Sequence, residues 1–270
     1  METTPEKTVV ELPKGFSDAE SYANNLTEQL RMAGVVQRDF LPKQLPDFGC
    51  LEWATTFLPA EWVSGDIYDI VRIDEKHVGF YVADVVGHGV PAALLTIFLK
   101  QALVMRITVG NRYRICRPAE VMKNLNKRLC EQKFSGSQFV TCCYCLLNVH
   151  SMELTLSRAG HPYPILYRPG EGITQLETRG ALLGVFEDAE FGQYRLQLKK
   201  GDKLLLYSDG AESFIGRYED QSGFAFDAQF AQLLEMPIWQ MNDAFVKLTE
   251  SRQLRQAEVD DITTLGLEIR

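Results

Sequence analysis

The strand-forming segments of this chain come in neighbouring pairs, and its long helical segments fall between pairs rather than between single strands. Apolar runs rich in β-formers predict strands at Leu51 to Phe57, Asp69 to Ile73, His77 to Ala83, Phe139 to Val149, Glu153 to Arg158, Ile165 to Tyr167, Tyr194 to Leu198, Lys203 to Tyr207 and Ile262 to Ile269. Helical periodicity predicts Ala92 to Ile107, a second helix from Pro118 through Cys130, and two more at Ala228 to Leu234 and Trp239 to Leu254. Regular strand-helix-strand alternation, which would give a parallel sheet, is missing. The order predicts the α+β class: a four-layer α-β-β-α sandwich of two stacked, mainly antiparallel sheets flanked by helices, with an N-terminal helical extension.

That extension divides the chain. Residues 1–16 are polar, carry Pro5 and Pro13, and read as a flexible N-terminus. Ser17-Asp-Ala-Glu20 has the form of a capping box, and Ala19, Ala23, Leu26, Leu30, Ala33, Gln37 and Phe40 recur at spacings of three and four. Residues 17–44 therefore read as a linker or regulatory helix, which either packs on its own domain or forms a homodimer through residues 17–41. Residues 45–270 read as one domain.

Composition narrows the partners. Lys and Arg number 28 against 36 Asp and Glu, a net charge of −8, and no basic run appears, so nucleic acid is not expected as a partner. No run of apolar residues is long enough for a membrane span, and Met1 to Glu11 is too polar for a signal peptide. The six cysteines lack the density of a disulfide scaffold, and a reducing cytoplasm fits them. Cys142, Cys143 and Cys145 lie in an apolar run and read as buried strand residues rather than metal ligands, since no C-x-x-C pair accompanies them. They also lack the Cys-x5-Arg spacing of a cysteine phosphatase.

The residues fit for chemistry are aspartates at strand ends beside glycines: Asp66 in Ser64-Gly-Asp66, Asp84 in Ala83-Asp-Val-Val-Gly-His-Gly89, Asp209 in Tyr207-Ser-Asp-Gly210, and the pair Asp260-Asp261 before the last strand. Any one Asp-Gly is most simply a turn. Several carboxylates gathered at one rim would repel one another unless a cation compensates them, and hard divalent cations prefer such oxygen donors.

Together these segments resemble the metal-dependent protein phosphatases (PPM, protein phosphatase 2C-like), in their bacterial SpoIIE/RsbU-like branch. The resemblance rests on Phe40-Leu-Pro42, Leu58-Pro-Ala60, Ser64-Gly-Asp-Ile-Tyr-Asp69, Ala83-Asp-Val-Val-Gly-His-Gly-Val-Pro-Ala-Ala-Leu94, Arg158-Ala-Gly-His-Pro162, Leu183-Gly184, Gly201-Asp202, Leu206-Tyr-Ser-Asp-Gly210 and Asp260-Asp-Ile-Thr263, in the family's order across residues 40–270. It implies a serine/threonine phosphoprotein phosphatase using two divalent ions, Mn2+ or Mg2+. Asp66, Asp84 and the Val85 carbonyl would serve the first ion. Asp84 would bridge to the second, completed by Asp209 and Asp260, with Asp261 binding or orienting a metal water. Such a centre displaces phosphate with water and needs no Cys or Ser nucleophile.

The resemblance further implies a phosphorylated STAS-domain protein, an anti-sigma-factor antagonist, as substrate, and an upstream sensor or receiver module in cis or trans. Two readings compete: a catalytically silent binding module of the same fold that sequesters a signalling partner, and a metal nuclease or nucleotidase, which the acidic composition disfavours. His88 and His161 read as structural or peripheral, and His161 argues against a third metal site. Two departures from the family pattern stand out. Ser64 replaces a usual glycine, and a single residue, Ala211, separates Gly210 from Glu212, which bears on the following loop, Phe214 to Phe226, as a substrate lid.

Overall fold

The computed structural model describes residues 19–134, 138–219, 223–253 and 260–270. The expected flexible N-terminus and Ser17 of the capping box lie outside these residues. In chain order the elements are α1 (Ala19–Asp39), β1 (Leu51–Leu58), β2 (Asp66–Arg72), β3 (His77–Val85), α2 (Gly89–Ala102), β4 (Arg106–Val109), β5 (Arg112–Ile115), α3 (Pro118–Gln132), β6 (Val140–Asn148), β7 (Glu153–Ala159), β8 (Ile165–Arg168), β9 (Gly172–Gln175), β10 (Tyr194–Gln197) and β11 (Lys203–Tyr207). A 3-10 turn (Asp209–Ala211) follows, then α4 (Glu212–Ile215), β12 (Gly216–Glu219), β13 (Gly223–Phe226), α5 (Ala228–Leu233), α6 (Ile238–Gln253) and β14 (Ile262–Ile269). Among the described residues no helix is long and apolar enough to cross a membrane.

Two five-stranded sheets are stacked, ordered β1-β14-β11-β8-β9 and β10-β7-β6-β3-β2, and every strand pairing within them is antiparallel. Period-2 alternation sorts the side chains. In β3, Val78, Phe80 and Val82 enter the core between the sheets, while Tyr81, Ala83 and Val85 pack under α2 and α3. In β6, Cys143 and Cys145 face the first core and Cys142 the second, so the cysteine cluster is free thiols divided between two apolar faces. A third core joins β11 and β14 to α5 and α6 through Phe214, Phe230, Met241 and Phe245. The layers are therefore helix, sheet, sheet, helix, as the sequence predicts.

The differences are local. The helix expected to reach Ile107 ends at Ala102, and Ile107 lies in the β4-β5 hairpin. The run from Leu103 to Val109 is apolar and free of Gly or Pro, so nothing in it marks the stop; its β-branched Val104, Ile107, Thr108 and Val109 favour the strand. Strand β2 begins at Asp66 rather than Asp69, which makes Asp66 the cross-strand partner of Asp84. The segment Phe214 to Phe226, expected as a loop, is the end of α4 and the β12-β13 hairpin.

Candidate metal centre

One end of the sandwich collects the aspartates. Asp66 opens β2 and Asp84 lies near the end of β3 in the same sheet, directly opposite each other. Asp209 follows β11, and Asp260 and Asp261 precede β14, its neighbour in the other sheet. Glycine makes the close approaches possible. A Cβ on Gly210 would stand 2.2 Å from the Asp261 carbonyl oxygen and 3.2 Å from Asp260 Cβ. A Cβ on Gly65 would meet the carbonyl oxygens of Val85 at 2.9 Å and Gly87 at 3.1 Å, so Val85 presents its carbonyl at this junction.

Ser208 ties the two sheets together. Its Oγ donates to Asp66 Oδ2 at 2.6 Å and accepts the Thr263 N–H at 2.9 Å, while its own N–H donates to the Thr263 carbonyl. Asp261 supports the loops instead of facing an open cleft: its two carboxylate oxygens accept the N–H groups of Ala60 and Gly65, each at 2.7 Å. Ser64 sits without the left-handed backbone that would require glycine. Its Oγ accepts the Asp66 N–H at 3.0 Å, so the departure at this position adds a local turn bond rather than strain.

Charge inside the cluster is uncompensated. Asp84 has its carboxyl pushed up to about 7 by burial, then by the negative charges of Asp209, Asp260 and Asp261. Burial, followed by the charge of Asp84, raises Asp66 well above the usual carboxylate range. Asp209 is raised by burial and by Asp260, and Glu212 by burial and by Asp209. Each charged neighbour acting on Asp84 has the same sign as Asp84 itself, an arrangement that a divalent cation would relieve.

The donor set fits such an ion: it is all oxygen, carboxylate and carbonyl, as Mg2+ and Mn2+ prefer. Among the described residues no three His, Cys, Asp or Glu side chains close into a ready-made cage.

Two histidines lie near this cluster. His88 is exposed in the loop before α2, with Nδ1 3.5 Å from Glu61. His161 is fully buried, its Nδ1 2.8 Å from Thr141 Oγ1, and its Nε2 has no hydrogen-bond partner among the described residues. Burial, then the charge of Arg158, lowers its pKa to about 3, so it is a neutral spacer between the sheets.

Sequence reasoning missed Gln37, read only as a helix seam position. Gln37 is buried, and its Nε2 donates to the Ser64 carbonyl at 2.6 Å and to Thr96 Oγ1 at 3.1 Å, while its Oε1 accepts the Ser64 N–H at 2.9 Å. One turn earlier, a Cβ on Gly34 would fall 1.9 Å from the Trp62 carbonyl oxygen. The last turns of α1 thus dock on the segment that carries Asp66, whereas residues 21–29 are exposed. The conformational freedom of an isolated helix hides such a contact; a buried-type glycine and amide one turn apart were the available signal.

Two antiparallel sheets between helical layers, with a rim of carboxylates at one end, define the PP2C-like fold of metal-dependent phosphatases. The SiaA-PP2C domain of Pseudomonas aeruginosa shares it, with a TM-score of 0.74 at 22% identity, covering 93% of this chain and 99% of that domain. More particularly, residues 74–270 match the family described as Stage II sporulation protein E (SpoIIE), and the chain belongs to that family. It is 30% identical over 211 residues to the phosphoserine phosphatase RsbU of Bacillus subtilis, covering 78% of this chain and 60% of RsbU. With the phosphoserine phosphatase RsbP of the same organism it shares 28% over 190 residues, covering 69% of this chain and 45% of RsbP. The chain thus spans about half of each of these relatives.

Proposed function

We propose that this chain is a serine/threonine phosphoprotein phosphatase whose site holds two divalent ions, Mn2+ or Mg2+. The observation that supports the reading is the cluster of like-charged carboxylates around Asp84, with no compensating charge acting on it among the described residues. Asp66, Asp84, Asp209 and Asp260 would hold the ions, with the Val85 carbonyl beside Gly65. Bound ions would supply the activation of water and the neutralisation of charge on the phosphoryl oxygens. The protein's own part is positioning. Ser208 fixes one oxygen of Asp66, and Asp261 holds the Ala60 and Gly65 backbone rather than an ion.

Two relatives named as phosphoserine phosphatases favour phosphoserine, and on the family resemblance a phosphorylated STAS-domain protein in sigma-factor control is the substrate class we assign. The test is hydrolysis of p-nitrophenyl phosphate and of phosphorylated STAS proteins with and without Mn2+. Wild type should hydrolyse both only with the metal, and Asp209→Asn should lose at least about a hundredfold in rate. Full activity in Asp209→Asn, or none in wild type at any metal concentration, overturns the assignment.

We further propose that α1 regulates metal occupancy through Gln37. Gln37→Ala leaves two buried Ser64 backbone groups without partners, at a cost of about 1–3 kcal/mol. The expected outcome is weaker Mn2+ binding in a calorimetric titration, with Asp66 loosened. An unchanged titration in Gln37→Ala, together with unchanged turnover and oligomeric state after deletion of residues 1–44, would leave α1 with no regulatory part.

A further inference from the structure

Beside the aspartates lies a cavity of about 240 Å3. Asp84, Asp209 and Glu212 contribute to its wall, as do Arg158, Tyr163 and Tyr218. The acidic contribution repels any phosphate monoester that enters without metal compensation. Arg158 is the one positively charged residue of this lining, because His161, which also lines it, is neutral.

The Arg158 guanidinium is held in place before any ligand arrives. Its Nε donates to the Thr178 carbonyl at 3.2 Å, its Nη1 donates to the His161 carbonyl, and its carbon lies 4.2 Å from the centre of the Tyr163 ring. Its Nη2 makes no hydrogen bond among the described residues. A guanidinium held at Nε and Nη1 and stacked on one face loses little freedom when Nη2 meets an anion. Position reinforces this. Arg158 is placed by the register of β7 on β6, across from Cys143, two residues before Gly160 of the Cys142 to Gly160 bridge, and so at the strand end nearest Thr141 and Asp84.

We infer that Arg158 binds the phosphoryl group of the substrate, gripping its oxygens from the wall of the cavity beside the carboxylate rim that would hold the ions. The inference rests on the phosphatase reading above and adds to it a substrate-binding residue outside the carboxylate cluster. It also gives the Tyr163 ring a purpose: the ring holds the guanidinium plane.

The experiment compares wild type, Arg158→Ala and Arg158→Lys, with Mn2+, on p-nitrophenyl phosphate and a phosphoserine peptide. Inhibition by inorganic phosphate, phosphate binding by calorimetry and melting temperature are measured alongside. In Arg158→Ala, KM for both substrates and the inhibition constant of phosphate should rise by about tenfold or more, since a charge-assisted contact is lost. Arg158→Lys should recover part of the loss, and the Mn2+-induced rise in melting temperature should stay at the wild-type value. Unchanged KM and phosphate inhibition overturn the inference, as does a loss confined to the peptide, which would assign Arg158 to the polypeptide instead. Collapse of the fold in both variants also overturns it, leaving the guanidinium as a clasp for the Thr178 and His161 carbonyls. Wild type without Mn2+-dependent hydrolysis is a failure of the phosphatase reading instead, and the calorimetric comparison still decides whether Arg158 binds phosphate.

Discussion

Replacing Asp84 with asparagine is expected to abolish metal-dependent hydrolysis while making the metal-free protein more stable. The opposite signs follow from one cause. Asp84 is half-buried opposite Asp66 and lies among the charges of Asp209, Asp260 and Asp261; burial and these charges together push its carboxyl up to about 7. Between the ordinary carboxylate range and pH 7, the folded protein keeps a proton that the unfolded chain has released. The contribution of this group to the stability of the metal-free protein is therefore most favourable below about pH 4, falls as pH rises towards 7, and carries its full penalty above that. The ceiling on that penalty is about 4 kcal/mol for a shift of this size, shared among coupled carboxylates.

Asparagine cannot ionise, so Asp84→Asn removes this pH dependence and should raise the metal-free melting temperature at pH 8 by several degrees. Mn2+ should add much less to the variant's melting temperature than to that of wild type, because a ligand stabilises only in proportion to its binding. Thermal melts at pH 5 and pH 8, with Mn2+ and with chelator, read all of this. A metal-free Asp84→Asn that melts below wild type at pH 8 would show that the cluster is not held under repulsion. Hydrolysis should fall by more than about a hundredfold.

What the sequence discloses and what it hides divide along the range of the contact. The last strand was legible because Ile262 to Ile269 carries its own alternation, and Asp66, Asp84, Asp209 and Asp260 were legible as candidates because an aspartate at the end of an apolar strand segment is a local pattern. Their meeting at one rim was implied only by resemblance to a family, since it depends on the stacking of two sheets. Ser208 was no more than a letter in a motif; its partner Asp66 is 142 residues away. Gln37 reaches Ser64 across 27 residues and Thr96 across 59. Arg158 stands in the recognised run Arg158 to Pro162, yet its role depends on a cavity that four separate segments enclose. The two small hairpins were missed for a simpler reason: β4-β5 and β12-β13 are short and largely exposed, so burial imposes little alternation on them.

Gly210→Ala tests the geometry of the rim as Asp84→Asn tests its charge, and the two should part company in the metal-free protein. Gly210 needs no left-handed backbone; what it supplies is space, since a Cβ there would lie 2.2 Å from the Asp261 carbonyl oxygen and 3.0 Å from its carbon. Both obstacles are backbone atoms, which cannot rotate aside as a side chain would. The strand entry at Asp260-Asp261 must therefore move off the turn that carries Asp209. That movement strains the reciprocal bonds between Ser208 and Thr263, and through Ser208 Oγ it loosens Asp66 in the other sheet. Overpacking of this kind costs about 1–3 kcal/mol, so Gly210→Ala should lower the metal-free melting temperature where Asp84→Asn raises it. Mn2+ affinity should fall in both. Because every carboxylate is still present in Gly210→Ala, high Mn2+ should recover part of its activity, whereas Asp84→Asn should stay inactive at any concentration. A Gly210→Ala protein with wild-type melting and a wild-type Mn2+ titration would mean that the close approach of the turn after β11 to the entry of β14, at Asp209 and Asp260, does not set the site.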